Sequence, residues 1–165
     1  MAECKNIMVY VETAEGNPVK VGLEMLSPAK KLADKVTAVV IGGGVADAAK
    51  EVAKAGADQV ICVDSEDYKE FNLDAYAQVL VELVKEENPE AVFVGGTQDG
   101  KDIAPVVAAK CNTGCASDVL DIKAEDGEVI YTCPLYGGTV LEDVKIKTTD
   151  SNITFRSIPE SGRPN

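Results

Sequence analysis

Histidine and tryptophan are absent from this chain of 165 residues. Without histidine, the chain cannot supply a Ser-His-Asp or Cys-His nucleophile system, a Cys2His2 zinc site, a two-His-one-carboxylate iron site or a His-ligated haem. General acid–base chemistry would have to use Asp, Glu, Lys, Tyr or Cys side chains. The absence of this one residue type therefore excludes many common hydrolytic and metal-based mechanisms.

Positive charge is scarce and dispersed. The chain has 28 acidic residues against 16 basic ones, a formal net charge of −12, and only two arginines, Arg156 and Arg163. A nucleic-acid surface requires clustered cations, so we expect no nucleic-acid partner. The same charge opposes binding to anionic membranes, and no apolar run approaches the roughly 20 residues of a spanning helix. Residues 1–5 lack a signal-peptide layout, so we expect a cytoplasmic location.

The five cysteines do not form a recognisable framework. Their number is odd and their spacing irregular, which predicts free thiols in a chain without an export signal. Cys111, Cys115 and Cys133 are the nearest approach to a metal motif, but three scattered thiols do not close a tetrahedral site. We interpret them as small, mostly buried side chains and predict no metal.

Strand and helix signals alternate over the first 111 residues. Short apolar runs at residues 6–12, 36–41, 59–63 and 91–94 predict buried strands, and apolar residues at helical spacing follow each one. This order predicts a single three-layer α/β domain with a mainly parallel sheet and helices on both faces. Beyond residue 112 the apolar period is close to two. It predicts strands at residues 119–123, 128–133, 140–147 and 152–158 that extend an edge of the sheet antiparallel.

The helix boundaries follow from capping residues and prolines. In the first helix, either Ser27 caps a segment with Pro28 at its first position, or the helix begins earlier and kinks at Pro28. Asn72 is the expected N-cap of the third helix. The fourth helix is expected from about Asp102, a plausible N-cap, with Pro105 in its first turn.

Two glycine-rich segments follow buried strands at the expected carboxyl edge of the sheet, where open α/β sheets bind ligands. Backbone amides at the start of a helix suit a phosphate, so both segments are candidate nucleotide loops. The candidate residues are Gly42, Gly43, Gly44, Gly95, Gly96, Thr97, Gly100 and Lys101. A purely structural role, in tight turns and close helix packing, is the alternative for both loops.

The first loop resembles the start of a dinucleotide fingerprint, because Asp64 lies twenty residues after Gly44, where a ribose-binding acid falls. The match then fails, since Asp47 occupies the third glycine position. The second loop is not a Walker loop. An enzyme that uses Lys101 with Asp99 or Asp102 as acid and base is a further, weaker hypothesis.

The acidic residues 64–70 connect the third strand to the third helix. A solvated connection is the simplest interpretation, and a docking surface for a basic partner is the alternative.

Residues 95–109 read GGTQDGKDIAPVVAA and are followed by Ser117-Asp118-Val119, Tyr136-Gly137-Gly138 and Thr154-Phe155-Arg156. In this order, these runs resemble the alpha subunit of electron transfer flavoprotein, over nearly the whole chain. The resemblance implies a Rossmann-like fold of the adenine-nucleotide-hydrolase-like type.

In that family the alpha subunit has this domain first and a flavin-carrying domain second. The resemblance therefore implies that residues 1–165 are the N-terminal domain only, that the FAD-binding domain is absent, and that FAD is bound mainly by that missing domain. It implies an electron carrier component rather than an enzyme, paired with a beta subunit. Such a heterodimer carries electrons from acyl-CoA or other dehydrogenases to a quinone or ferredoxin-linked acceptor.

The related beta subunit binds AMP through the loops after its second and fourth strands. By position these loops correspond to residues 41–44 and 95–102 here. The resemblance thus leaves AMP as a possible ligand, and a free-standing module for AMP, ATP or FAD as the alternative function.

Overall fold

A computed structural model describes residues 4–116, 119, 121–125, 128–135, 140–145 and 154–158. The described helices are α1 (Lys20–Leu32), α2 (Ala46–Lys54), α3 (Leu73–Glu87) and α4 (Gln98–Lys110). The described strands are β1 (Cys4–Tyr10), β2 (Thr13–Ala14), β3 (Asn17–Pro18), β4 (Ala33–Gly42), β5 (Gln59–Asp64), β6 (Ala91–Gly95), β7 (Cys115–Ala116), β8 (Asp121–Glu125), β9 (Glu128–Leu135), β10 (Val140–Lys145) and β11 (Thr154–Ile158).

The main sheet has the strand order β5-β4-β1-β6-β11-β7, and every neighbouring pair in it is parallel. Strand β1 lies between β4 and β6, because the chain first extends the sheet through β4 and β5 and then returns to the other side of β1. Since all these strands run in one direction, the residues that follow β1, β4 and β6 meet at one edge. The three-layer parallel fold predicted from the alternating pattern is confirmed.

The two faces of the sheet are covered by different helices. On one face, Ile7, Val9 and Phe93 lie in a buried cluster with side chains of α1 and α2. On the other face, Met8 and Val92 lie in a buried cluster with side chains of α3 and α4. Strands buried on both faces read as continuous apolar runs, which is the pattern that the sequence shows.

The later strands differ from the prediction. Strands β8, β9 and β10 pair antiparallel with one another in a separate three-stranded sheet and do not extend the main one. The strand that extends the main sheet is β11, and it pairs parallel with β6. A parallel neighbour requires a long crossover, and the chain between β6 and β11 supplies one, whereas short connections allow β8 to β10 to pair locally. The connections between the later strands, at residues 126–127, 136–139 and 146–153, lie outside the described residues.

The structure decides between the two alternatives for the first helix and corrects the start of the fourth. Helix α1 begins at Lys20 with Pro28 inside it, so the earlier start is the correct alternative. Helix α4 begins at Gln98 after the N-cap Thr97, and the prediction of a start near Asp102 was wrong. Pro105 therefore lies at an exposed position within α4 and not in its first turn. Asn72 caps α3 as predicted, with its side chain accepting the amide of Ala75.

The buried face of α4 gives a direct stability test. Val107 is 1% exposed in the cluster shared with α3, whereas Ala109 on the same helix is exposed. We expect Val107→Asp to lower the free energy of unfolding by several kcal/mol, on the order of 3–5, because it buries an unpaired carboxylate. Ala109→Asp adds the same charge at an exposed position, and we expect it to change the free energy of unfolding by less than about 1 kcal/mol. Equal denaturant midpoints for the two variants would show that the helix face is misassigned.

Candidate functional site

A cleft of about 420 Å³ opens at the carboxyl edge of the sheet, beside the ends of β1 and β4. Its walls come from three places: the end of β1 and the β2–β3 hairpin, the loop after β4 at residues 42–45, and side chains of Lys69, Phe71 and Tyr76 that precede or open α3. Asp99, in the first turn of α4, completes the lining. This volume lies in the range of small-molecule sites, roughly 300–1,000 Å³.

The glycine loop after β4 is held by the segment that follows β5. The amide of Gly44 donates to Asp64 Oδ1 at 2.7 Å, and the amide of Ser65 donates to the carbonyl of Gly42 at 2.9 Å. Gly44 has φ +70°, a left-handed conformation that favours glycine. The carboxylate of Asp64 therefore occupies the amide of Gly44, and this amide is not available to a ligand.

Two tyrosines, Tyr10 and Tyr76, line the cleft. Tyr10, the last residue of β1, is 2% exposed, and no hydrogen bond to its hydroxyl occurs among the residues that the structure describes. Burial, followed by the charges of Glu12, Tyr76 and Asp99, raises the pKa of Tyr10 well above its ordinary value. The hydroxyl of Tyr76 donates to the carbonyl of Tyr68, and burial together with Asp99 raises the pKa of Tyr76. Both phenols are therefore neutral donors at physiological pH.

The second glycine loop is tied to the end of β1 through Thr97. The hydroxyl of Thr97 donates to Glu12 Oε1 at 2.6 Å and accepts the amide of Gly100 at 3.0 Å. Gly100 packs so closely on the end of β6 that a Cβ there would collide with the carbonyl oxygen of Gly95. This geometry explains a glycine at position 100 by close packing of α4 against the sheet.

Comparison with known proteins identifies the family. The family model for the electron transfer flavoprotein domain matches residues 7–157, a span that extends from β1 into β11. This chain belongs to the electron transfer flavoprotein family. That result confirms the resemblance carried by residues 95–109 and the later motifs.

The curated relatives of the chain are longer electron transfer flavoprotein subunits and related proteins. The chain is 36% identical to Protein FixB of Clostridium saccharobutylicum, with 87% of this chain and 45% of the relative covered. It is 36% identical to electron transfer flavoprotein subunit alpha of Clostridium acetobutylicum, with 87% and 44% covered. It is 38% identical to acryloyl-CoA reductase electron transfer subunit beta of Anaerotignum propionicum, with 85% and 46% covered. The chain thus spans about half the length of the curated relatives it matches.

In this electron transfer flavoprotein domain, the two predicted loops lie at the same edge of the sheet but have different surroundings. Gly42, Gly43 and Gly44 line the cleft. Of the second loop, Asp99 reaches the cleft, whereas the predicted residues Gly95, Gly96, Thr97, Gly100 and Lys101 do not line it.

Sequence reasoning missed the aromatic residues of the cleft. Tyr10 and Tyr76 appeared only as members of an apolar strand and a helical face. The available signal for Tyr10 was a polar-tipped aromatic residue at the end of a buried strand, next to the predicted ligand edge.

Burial keeps two of the described thiols out of the reactive thiolate form. Cys62, Cys111 and Cys115 are free cysteines. Burial raises the pKa of Cys115 to about 11 and also raises the pKa of Cys111, so these two thiols are protonated at neutral pH. Within the described part of the chain, no group of three or more His, Cys, Asp or Glu side chains could hold a metal ion. None of the described helices is long and apolar enough to cross a membrane.

The Thr97 link can be tested by removing its hydroxyl. We expect Thr97→Val to lower the free energy of unfolding by about 2 kcal/mol, because it removes both the helix cap and the bond to Glu12. Thr97→Ser keeps the hydroxyl and is the matched control. Urea unfolding curves give the free energy of unfolding of both variants. Equal values for the Val and Ser variants would contradict a stabilising role of the Thr97 hydroxyl.

Proposed function

We propose that this chain is the N-terminal domain of an electron transfer flavoprotein alpha subunit, and that it works as a scaffold within an electron carrier. The observation that supports this most strongly is the family match across residues 7–157, together with relatives named as electron transfer subunits. Each relative is about twice as long as this chain, which agrees with a one-domain correspondence.

The chemistry of the chain supports a scaffold role. It has no histidine, and burial keeps the thiols of Cys111 and Cys115 protonated at neutral pH. Protonated thiols do not carry electrons by themselves. The proposed electron carrier is therefore FAD, held mainly by a separate flavin-binding domain. The expected partner is the beta subunit. The expected donors are acyl-CoA or other dehydrogenases, and the expected acceptor is a quinone or ferredoxin-linked protein.

The assembly can be tested with the chain and a beta subunit from the same organism. The two proteins are coexpressed and separated by size exclusion with light scattering, and flavin absorbance is recorded across the elution. We expect an equimolar complex, and no FAD retained by this chain alone. Separate elution of the two proteins would contradict the scaffold role, and so would FAD retained by this chain without a partner.

A second candidate function is a nucleotide-binding module, which the cleft beside Gly42–Gly44 favours. Helix α2 starts after Val45, which lines the cleft and whose side chain does not cap the helix, so the positive end of the helix dipole lies beside the cleft. AMP, ATP or FAD would then bind through its adenosine part at the carboxyl edge of the sheet. Measured AMP binding would support this second function.

A further inference from the structure

The buried hydroxyl of Tyr10 is the first sign of an additional ligand. Tyr10 lines the cleft and is 2% exposed, yet its hydroxyl has no hydrogen-bond partner among the described residues. Buried tyrosine hydroxyls usually have a partner, since an unmet one costs about 1–3 kcal/mol. A ligand group in the cleft can supply that partner.

The charges around the cleft oppose a phosphate. Glu12, Glu15 and Asp99 line it, and Lys69 is the single cation among the described lining residues. Its ammonium group lies 3.9 Å from the carboxylate of Glu66. In addition, Asp64 already occupies the amide of Gly44. The positive end of the α2 dipole attracts an anion, but it carries only about half an elementary charge. The net field of the lining is therefore negative.

The remaining lining residues suit a ligand that has a planar ring and a sugar with hydroxyl groups. Ile41, Val45, Phe71 and Tyr76 supply apolar surface, and the rings of Phe71 and Tyr76 pack edge to face at a centroid distance of 5.0 Å. Carboxylates accept hydrogen bonds from ribose hydroxyls, as acidic residues do in dinucleotide-binding folds. A neutral phenol can donate to a ring nitrogen.

We propose that the cleft binds a nucleoside and discriminates against the phosphorylated form of the same molecule. The proposal rests on the second candidate function, because both place a ligand with a nucleobase in this cleft. It further specifies that the preferred ligand carries no phosphate. It does not depend on association with a beta subunit.

The test is isothermal titration calorimetry of the whole chain with adenosine and with AMP, two probes that differ by one phosphate. We expect adenosine to bind at least about tenfold more tightly than AMP, because the phosphate adds negative charge beside the acidic lining. Tyr10→Phe removes only the hydroxyl and is expected to weaken adenosine binding about tenfold. Its melting temperature should not fall, since no partner among the described residues loses a hydrogen bond.

Two variants that each remove one negative charge distinguish the effect of the cleft lining from the effect of the net charge of the protein. Asp99→Asn removes a negative charge from the cleft lining. We expect it to reduce the ratio between the adenosine and AMP affinities. Glu82→Gln removes one negative charge from an exposed position in the middle of α3, outside the lining, and should leave that ratio unchanged. Equal effects of the two variants would overturn the proposal.

The remaining outcomes are also decisive. AMP binding as tight as adenosine overturns the proposal and leaves the second candidate function standing. No binding of either probe overturns both, while the scaffold role remains to be judged by complex formation. Full adenosine affinity in Tyr10→Phe overturns the role of the hydroxyl.

Discussion

The structure depends on the parallel pairing of β1 with two neighbours. Residues 7–10 pair with β4 on one side and with β6 on the other. Ile7, Met8 and Val9 are fully buried, because helices cover both faces of the sheet at this position. This double pairing brings the ends of three strands to one edge, and it places Tyr10 and Glu12 between the two glycine loops. The positions of Tyr10 and Glu12 in the candidate site follow from this pairing.

The two sides of β1 are then used differently. Towards β6, close packing of Gly100 on Gly95 and the bond between Thr97 and Glu12 bring α4 against the strand ends. Towards β4, the loop at residues 42–45 turns away, and its amide at Gly44 is bound by Asp64. The cleft lies on the β4 side, where Gly42, Gly43 and Gly44 line it. Two loops with the same sequence plan thus have different surroundings because their neighbours differ.

Most of the fold could be predicted from local pattern. Buried parallel strands and amphipathic helices leave periodic signals, and the cap at Asn72 follows from a side chain that binds an amide three residues later. The start of α4 could not be settled this way, because both Thr97 and Asp102 can cap and Pro105 favoured the later start. The parallel position of β11 depends on a distant partner, and no local period records which strand that is. The same limit applies to the site: its glycines follow from turn chemistry, but the isolated hydroxyl of Tyr10 and the internal role of Asp64 arise only from residues brought together by folding.

Membership of the electron transfer flavoprotein family fits a domain whose main contribution is to position other groups. Residues 7–10 of the central strand are buried, and burial keeps the phenols of Tyr10 and Tyr76 and the thiols of Cys111 and Cys115 neutral at physiological pH. The most direct test of this account is native-state hydrogen exchange, resolved by residue. We expect the amides of Ile7 to Tyr10 in β1 to exchange only through global unfolding, and more slowly than those of β5, which pairs on one side only within the described residues. Exchange in β1 as fast as in β5 would contradict the central position on which the site and its proposed functions depend.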